Sequence, residues 1–476
     1  MNALKKIVLS VSCMAVAGIS FAQTSTKMSL KECIQLAIKN NLDVQRATLQ
    51  TESAKAYWQQ ARANLLPDLN ANLSQGANQG RNINPYTNTY IDQNINVGNY
   101  SLSSNLTLFN GLSIQNNIKQ NRTAFEASGM EQQQKKDNVT LNVILAYLTL
   151  LSNEDLLEVS KNQVEVSKKQ VERLDILNKD GAITPSDLYD LKGQLANDNV
   201  SVVNNMNNME SARLSLAQLL NVNYSKDIDV ERLTLDQINF VYDSSTENIY
   251  KTAAANLAII KAVDLRQKSA VYGVKVAKGQ QYPALVLSGG IGSNYSTAAT
   301  TQELINTTYV DNGSYVEANG TKVPVWDPQN DYASHKIPFG DQFKNNRNTY
   351  FSLGLRIPIL NAFQTRTKIR VAKIQQKDAE VVASSTRTQL QQNVEQAYVN
   401  MTSAEKRYKA LSEQVDAYKE SFRIAEVRFN AGAINSVDYL VAKNNFDRSN
   451  VNLIVARYDF VLRTKILDYY QGRPLW

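Results

Sequence analysis

The chain has 476 residues, with 51 Lys and Arg against 44 Asp and Glu, and no basic block concentrates its formal charge of +7; a nucleic-acid surface is excluded. Two cysteines and a single histidine, His335 in a polar stretch, cannot build a thiolate cluster or a Cys/His centre, and no Gly-rich phosphate cradle is present. Neither an enzyme nor a cofactor is expected, and 19 Gly with 9 Pro suit long helices better than sandwiches.

Residues 1–22 have the parts of a signal peptide: Lys5 and Lys6, an apolar stretch from Ile7 to Ile19, and Ser20-Phe21-Ala22 as cleavage site. The mature chain then begins at Gln23, and losing two lysines lowers the charge to +5 (7 − 2). A spanning helix needs about 20 apolar residues and no later segment supplies them, so a membrane-inserted form has to be a barrel. Ser10-Val11-Ser12 is a poor lipobox, which argues against lipidation at Cys13. Only Cys33 is left after cleavage, read as a small buried side chain.

From Leu30 to Leu66 the pattern is helical and stops at Pro67. A strand over 67–75 alternates Leu69, Ala71 and Leu73 with Asp68, Asn70 and Asn72; a polar loop over 76–99 leads to a second strand, 100–109, with Leu102, Leu106 and Leu108 on one face. A long helix follows over 113–180, then a return helix over 185–220. Its seam is Val143, Leu150, Leu157, Val164 and Val171, answered by Leu188, Leu195, Val202, Met209 and Leu216. At 1.5 Å per residue the outgoing helix spans about 100 Å, longer than a globular core can use.

The second half repeats this order: helix from Glu247 to Tyr282, strand 284–291, loop 292–348, strand 349–360, long helix 363–430 and return helix 436–470. Its seams are Val394, Met401, Tyr408, Val415 and Phe422, then Tyr439, Phe446, Leu453, Phe460 and Leu467. Gly181-Ala182-Ile183 falls on Gly432-Ala433-Ile434 at a shift of 251 residues (432 − 181), and Ala146-Tyr147 falls on Ala397-Tyr398 at the same shift. The chain reads as an internal duplication, 23–245 and 246–476. Seams this narrow imply packing against neighbouring hairpins, and four amphipathic strands make no closed barrel, so a membrane reading requires several copies.

The passages Leu106-Thr107-Leu108-Phe109-Asn110-Gly111 and Ile357-Pro358-Ile359-Leu360-Asn361-Ala362, with the tip from Arg428 to Leu440, resemble the TolC family of outer-membrane efflux channels. The resemblance implies a homotrimer in outer-membrane lipid, a twelve-strand barrel with four strands from each protomer, and a periplasmic helical tube. That tube would meet a periplasmic adaptor and an inner-membrane pump, in efflux or type I secretion, with 221–245 in a belt around it. It also maps adaptor docking to Gly181, Ala182, Ile183, Gly432, Ala433 and Ile434, and a constriction of the periplasmic entrance to Asp187, Asp190 and Asp438. The spacing of Thr184 with Asp187, and of Asn435 with Asp438, equally suits helix caps, so two roles are open for these carboxylates. Where the best-studied member of the family has a tyrosine and an arginine locking the gate, this chain has Phe429 and Ile434, and a further acidic position is Val441. The rival reading is a periplasmic coiled-coil scaffold without a pore, which leaves the four strands unexplained.

Overall fold

The computed structural model describes residues 27–83, 88–92, 94–224, 228–232 and 245–475. The expected signal peptide, Cys13 with it, 84–87 and 93 of the expected loop over 76–99, and 225–227 and 233–244 of the expected belt lie outside the described residues. The protein is mainly helical with a smaller β part. Its helices are α1 (Leu30–Asn40), α2 (Leu42–Ala63), α3 (Ser113–Lys179), α4 (Pro185–Leu220), α5 (Thr246–Asn256), α6 (Ala258–Gly279), α7 (Phe339–Asn345), α8 (Gln364–Asn430) and α9 (Ser436–Tyr470). Two compact units are distinguished: Met1–Lys55 with Thr123–Lys268 and Lys377–Trp476, and Ala56–Arg122 with Ser269–Gln376. Each draws on both halves of the chain, because the long helices run on from one unit into the other; the division by contacts is not the division by sequence repeat.

In the first, helical unit, α1 opens with a capping box: the Ser29 N–H donates to the Glu32 carboxylate at 2.9 Å and the Glu32 N–H to the Ser29 hydroxyl at 3.3 Å. The single helix expected from Leu30 to Leu66 is two helices. Asn41 leaves the helical region at φ −68°, ψ 123°, and its side chain accepts from the Val44 N–H at 3.0 Å, starting a new helix. Leu257, at φ −65° and ψ 138°, also leaves the helical region and divides the expected helix over 247–282, though its side chain can offer no cap to the helix that follows.

Helices α3 and α8 are both 67 residues long and begin 251 residues apart (364 − 113). No residue of the four seams is exposed; the twenty side chains are buried or half-buried. One core gathers Cys33, Ile34, Val143, Tyr147, Leu150 and Leu216, with the Tyr147 hydroxyl donating to the Glu231 carbonyl at 2.7 Å. A second holds Ile249, Val394, Met401, Phe460 and Leu467. Each such aliphatic or aromatic burial stabilises by roughly 1.5–3 kcal/mol. A third core lies at the hairpin ends and is described below.

The second unit is built on strands β1 (Asn70–Asn78), β2 (Arg81–Ile83), β3 (Tyr90–Asp92), β4 (Ile95–Asn110), β5 (Ala284–Ser296), β6 (Thr300–Ala318), β7 (Thr321–Lys336) and β8 (Asn348–Arg356). Four form an antiparallel sheet in the order β1-β4-β5-β8, while β2 pairs with β3 and β6 with β7. The expected polar loops are therefore not irregular. Within 76–99 lie β2, β3 and the start of β4, and within 292–348 lie the end of β5, a long β6–β7 ribbon and α7. The ribbon has no greasy face to reveal it. It closes at Asn319-Gly320, both at positive φ (52° and 81°), the turn whose twist matches a hairpin. The expected strand over 349–360 stops at Arg356, before Pro358, whose missing N–H cannot extend a ladder.

Candidate functional site: hairpin tips and sheet face

Both long helices end in the same way. The Ala182 N–H donates to the Leu177 carbonyl at 2.8 Å and the Gly181 N–H to that of Asn178 at 3.1 Å; Ala433 and Gly432 repeat this on Arg428 and Phe429 at 2.8 and 3.1 Å. Gly181 and Gly432 both sit at φ +70°, the left-handed position a Cβ would strain. Ala182 and Ala433 are exposed, whereas Ile183 and Ile434 are half-buried against a tip core of Leu174, Leu188, Leu191, Phe429 and Tyr439. Phe429 stacks on Tyr439 with ring centroids 4.6 Å apart. Of the six expected docking residues, the two alanines thus face solvent and the two isoleucines chiefly hold the turn in shape.

The three expected entrance aspartates divide. Asp187 is half-buried; it accepts from the Thr184 hydroxyl at 2.8 Å and from the Ser436 N–H at 3.3 Å. Asp190 accepts from the Ser436 hydroxyl at 2.9 Å. Hydrogen bonds from Thr184, and then Ser436, hold the Asp187 carboxyl below its ordinary range. Thr184 makes no side-chain bond to the backbone of α4, so the cap expected there is absent, and its hydroxyl goes to Asp187 instead. Asp438 is exposed, and its backbone N–H donates to the Asn435 side chain at 2.8 Å; the cap is Asn435.

Three partners were not anticipated. Ser436 sits at the start of α9, where a donor pair meets two carboxylates on α4. Arg173 on α3 reaches the end of α8, donating to the Asn430 side-chain oxygen and, at 2.5 Å, to its carbonyl, one of the acceptors a helix leaves unpaired. Further along, Lys443 is buried between two carboxylates, 3.1 Å from Asp198 and 2.6 Å from Asp447, with the Ser167 hydroxyl also donating to Asp198. Burial pushes the Asp447 carboxyl up, and the Lys443 charge opposes that shift. Helices α3, α4 and α9 are thereby clasped. Periodicity could not find these residues, but comparing the sequence with itself at a shift of 251 could: Ser436 stands against Pro185, and Asp447 against Ala196 (436 − 185; 447 − 196).

In the sheet, directly paired residues share a face. Leu73–Tyr100, Ala71–Leu102, Leu102–Ile291, Leu106–Leu287 and Leu287–Leu353 make one face apolar; Asn72–Ser101, Asn105–Ser288 and Ser288–Ser352 make the other polar. The apolar face is open: Leu73, Phe351 and Leu353 are 74%, 84% and 63% exposed. Among the described residues, strands β1 and β8 each have one unpaired edge. No helix among the described residues is long and apolar enough to cross a membrane, and no group of His, Cys, Asp or Glu there could hold a metal ion.

Comparison with known proteins follows this geometry. The model of the family described as outer membrane efflux protein matches residues 33–222 and 249–467. Toxin and drug export protein A of Aggregatibacter actinomycetemcomitans is 20% identical over 443 residues, 91% of this chain and 83% of its own. Among solved structures, CusC aligns with a TM-score of 0.75 at 16% identity, covering 94% of this chain and 92% of its own. The outer membrane protein VceC of Vibrio cholerae aligns with a TM-score of 0.72 at 16% identity, covering 94% and 97%. At such identities the structural likeness speaks for the fold alone.

Proposed function

We propose a mode of action for this chain from one premise: it belongs to the outer membrane efflux protein family and is an efflux channel of the outer membrane. Three copies join the β1 edge of one sheet to the β8 edge of the next, closing twelve strands into a barrel. The observation that carries this reading is the open apolar face of a sheet with two free edges. Such a face is an aggregation hazard in water, and such edges are not tolerated in lipid unless paired. Closure removes both problems, turning the leucines to hydrocarbon and the Asn and Ser rows to a wet lumen.

In the helical part, the hairpins of the three copies pack side by side into a periplasmic tube. Val200, Val203 and Met206, exposed on α4, supply apolar surface for that contact. The 251-residue repeat lets each copy contribute two similar hairpins to one ring. A periplasmic adaptor docks at the tips, at Gly181-Ala182-Ile183 and Gly432-Ala433-Ile434, where the exposed alanines beside a rigid turn suit an apolar socket. An inner-membrane pump supplies the energy and the channel conducts passively, without catalytic residues. Asp187, Asp190 and Asp438 constrict the entrance. Asp438 acts through its exposed charge, favouring cations, while Asp187 and Asp190 hold the two tips of one protomer together.

Single-channel conductance in planar bilayers tests this, comparing wild type with Asp187→Ala/Asp438→Ala. Cation-selective openings that lose selectivity in the variant support both pore and acidic entrance. Openings of unchanged selectivity keep the pore and remove the entrance role, and a folded protein that never conducts contradicts the reading.

A further inference from the structure

The short helix α7 is folded back on the apolar face of the sheet, at the strand ends away from the passage of β4 into α3. Its attachment is built rather than casual. Gln342, 2% exposed, accepts from the Ser296 N–H at 2.9 Å and donates to the carbonyls of Ser296 and Ile337 at 2.9 and 2.8 Å. The Ser293 hydroxyl donates to the Phe343 carbonyl at 2.8 Å, and the Asn346 side chain to the Asn294 carbonyl at 2.9 Å. Tyr100 lies 5.8 Å from both Phe339 and Phe343, and Tyr295 lies 5.2 Å from Phe339, edge to face. Both phenylalanines nevertheless remain about half exposed.

Beside α7 runs a groove of about 240 Å³ lined by Ala71, Leu73, Leu102, Ile291, Phe343 and Arg347. Its one charge is Arg347. Neither Arg347 nor Lys344 has an ion-pair partner among the described residues, and the acid of the same segment, Asp341, is exposed. An apolar slot ending at an unneutralised guanidinium matches an acyl chain attached to an anionic head. Guanidinium is also the group best suited to grip phosphate with two parallel hydrogen bonds.

We propose that this groove is a lipid site: it takes one acyl chain of a phosphorylated glycolipid of the outer leaflet, whose phosphate is held by Arg347 with help from Lys344. The inference rests on the barrel reading, which turns the apolar face to hydrocarbon and puts the α7 end at the outer surface. Tyr100, Tyr295, Phe339 and Phe343 then form an aromatic anchor at that interface. The buried Gln342 amide fixes the helix so that slot and cation stay in register.

The test uses the full mature protein, extracted in detergent and stripped of lipid, with native mass spectrometry counting the molecules retained. Lipid A, phosphatidylethanolamine and the deacylated phosphorylated disaccharide of lipid A are added in turn. Lipid A is expected to bind at least about tenfold more tightly than either of the others, and Lys344→Glu/Arg347→Glu to weaken it at least about tenfold. Leu73→Ser/Phe343→Ser should lower the binding of both acylated lipids. Unchanged lipid A binding in the charge-reversed protein overturns the phosphate assignment, and a disaccharide that binds as tightly as lipid A overturns the groove. Arg347→Gln, expected to lose binding in part, replaces the reversal if that variant does not assemble. Conductance of the same preparations separates this site from the barrel: variants that conduct normally yet bind lipid A as wild type sink the site alone, whereas wild type that never conducts sinks the barrel.

Discussion

The two hairpin tips share a backbone and differ in what their side chains hold. Gly181 and Gly432 have the same φ of +70°, and the hydrogen bonds closing the two turns have the same lengths. Beyond the turn the copies part. Pro185 has no N–H to offer, whereas its counterpart Ser436 offers an N–H and a hydroxyl, and both are taken by carboxylates of the first copy, Asp187 and Asp190. Lys192 and Lys443 are also counterparts (443 − 192 = 251), yet the first is 44% exposed and the second 1%. The turn, which local geometry dictates, is the same in both, and a few differing side chains make one tip a receptor for the other.

The largest expected effect separates the two lysines. Lys443→Met leaves Asp198 and Asp447 without their cation and should cost about 3–5 kcal/mol, while Lys192→Met should stay within about 0.5 kcal/mol. Thermal unfolding of the extracted protein measures both, and equal losses would erase the distinction between the copies. Next comes the acid pair. Asp187→Ala removes charge-assisted bonds to Thr184 and Ser436 and should destabilise by about 1–3 kcal/mol, whereas Asp438→Ala leaves the Asn435 cap in place and should cost about 0.5 kcal/mol or less.

Acid offers a reversible form of the same experiment. Because the folded state depresses the Asp187 pKa below 3.8, its contribution is present above that unfolded value and is lost as pH falls through the folded one. Wild type and Asp187→Ala should therefore differ at pH 7 and pH 5 and converge as the pH is taken progressively below 3.8. A gap that persists undiminished in strong acid would assign the stability to packing. A small effect of the opposite sign is expected at Tyr439, whose buried hydroxyl has no hydrogen-bond partner among the described residues. Tyr439→Phe should be neutral or stabilising by about 1 kcal/mol in the same assay, since it removes a desolvated polar group and keeps the stack on Phe429.

Much of this was legible before the structure. The seams that run from Val143 to Val171 and from Val394 to Phe422 announce their helices because burial selects one side chain in seven. The leucines of β1, β4, β5 and β8 announce a two-faced sheet because pleating alternates side chains. What stayed hidden has no such period. The β6–β7 ribbon is held by its backbone ladder, and only Asn319-Gly320 betrays it; the breaks at Asn41 and Leu257 are single-residue departures within helical patterns. Contacts such as Asp187 with Ser436, and Lys443 with Asp198, join residues 249 and 245 positions apart, and no local spacing encodes them. At Asp438 the spacing from Asn435 suits a cap, and the asparagine side chain supplies it through the Asp438 N–H while the residue stays exposed.

The central claim is that the sheet closes by edge-to-edge pairing between three copies. Disulfide cross-linking tests it most directly, with Asn72→Cys on β1 combined in turn with Asn348→Cys, Tyr350→Cys and Ser352→Cys on β8, the native Cys33 being buried. Oxidation in outer membranes should yield covalent dimers and trimers with no larger species for at least one pair. A ladder extending beyond three copies, or no cross-link from any pair in protein that conducts, would contradict the account.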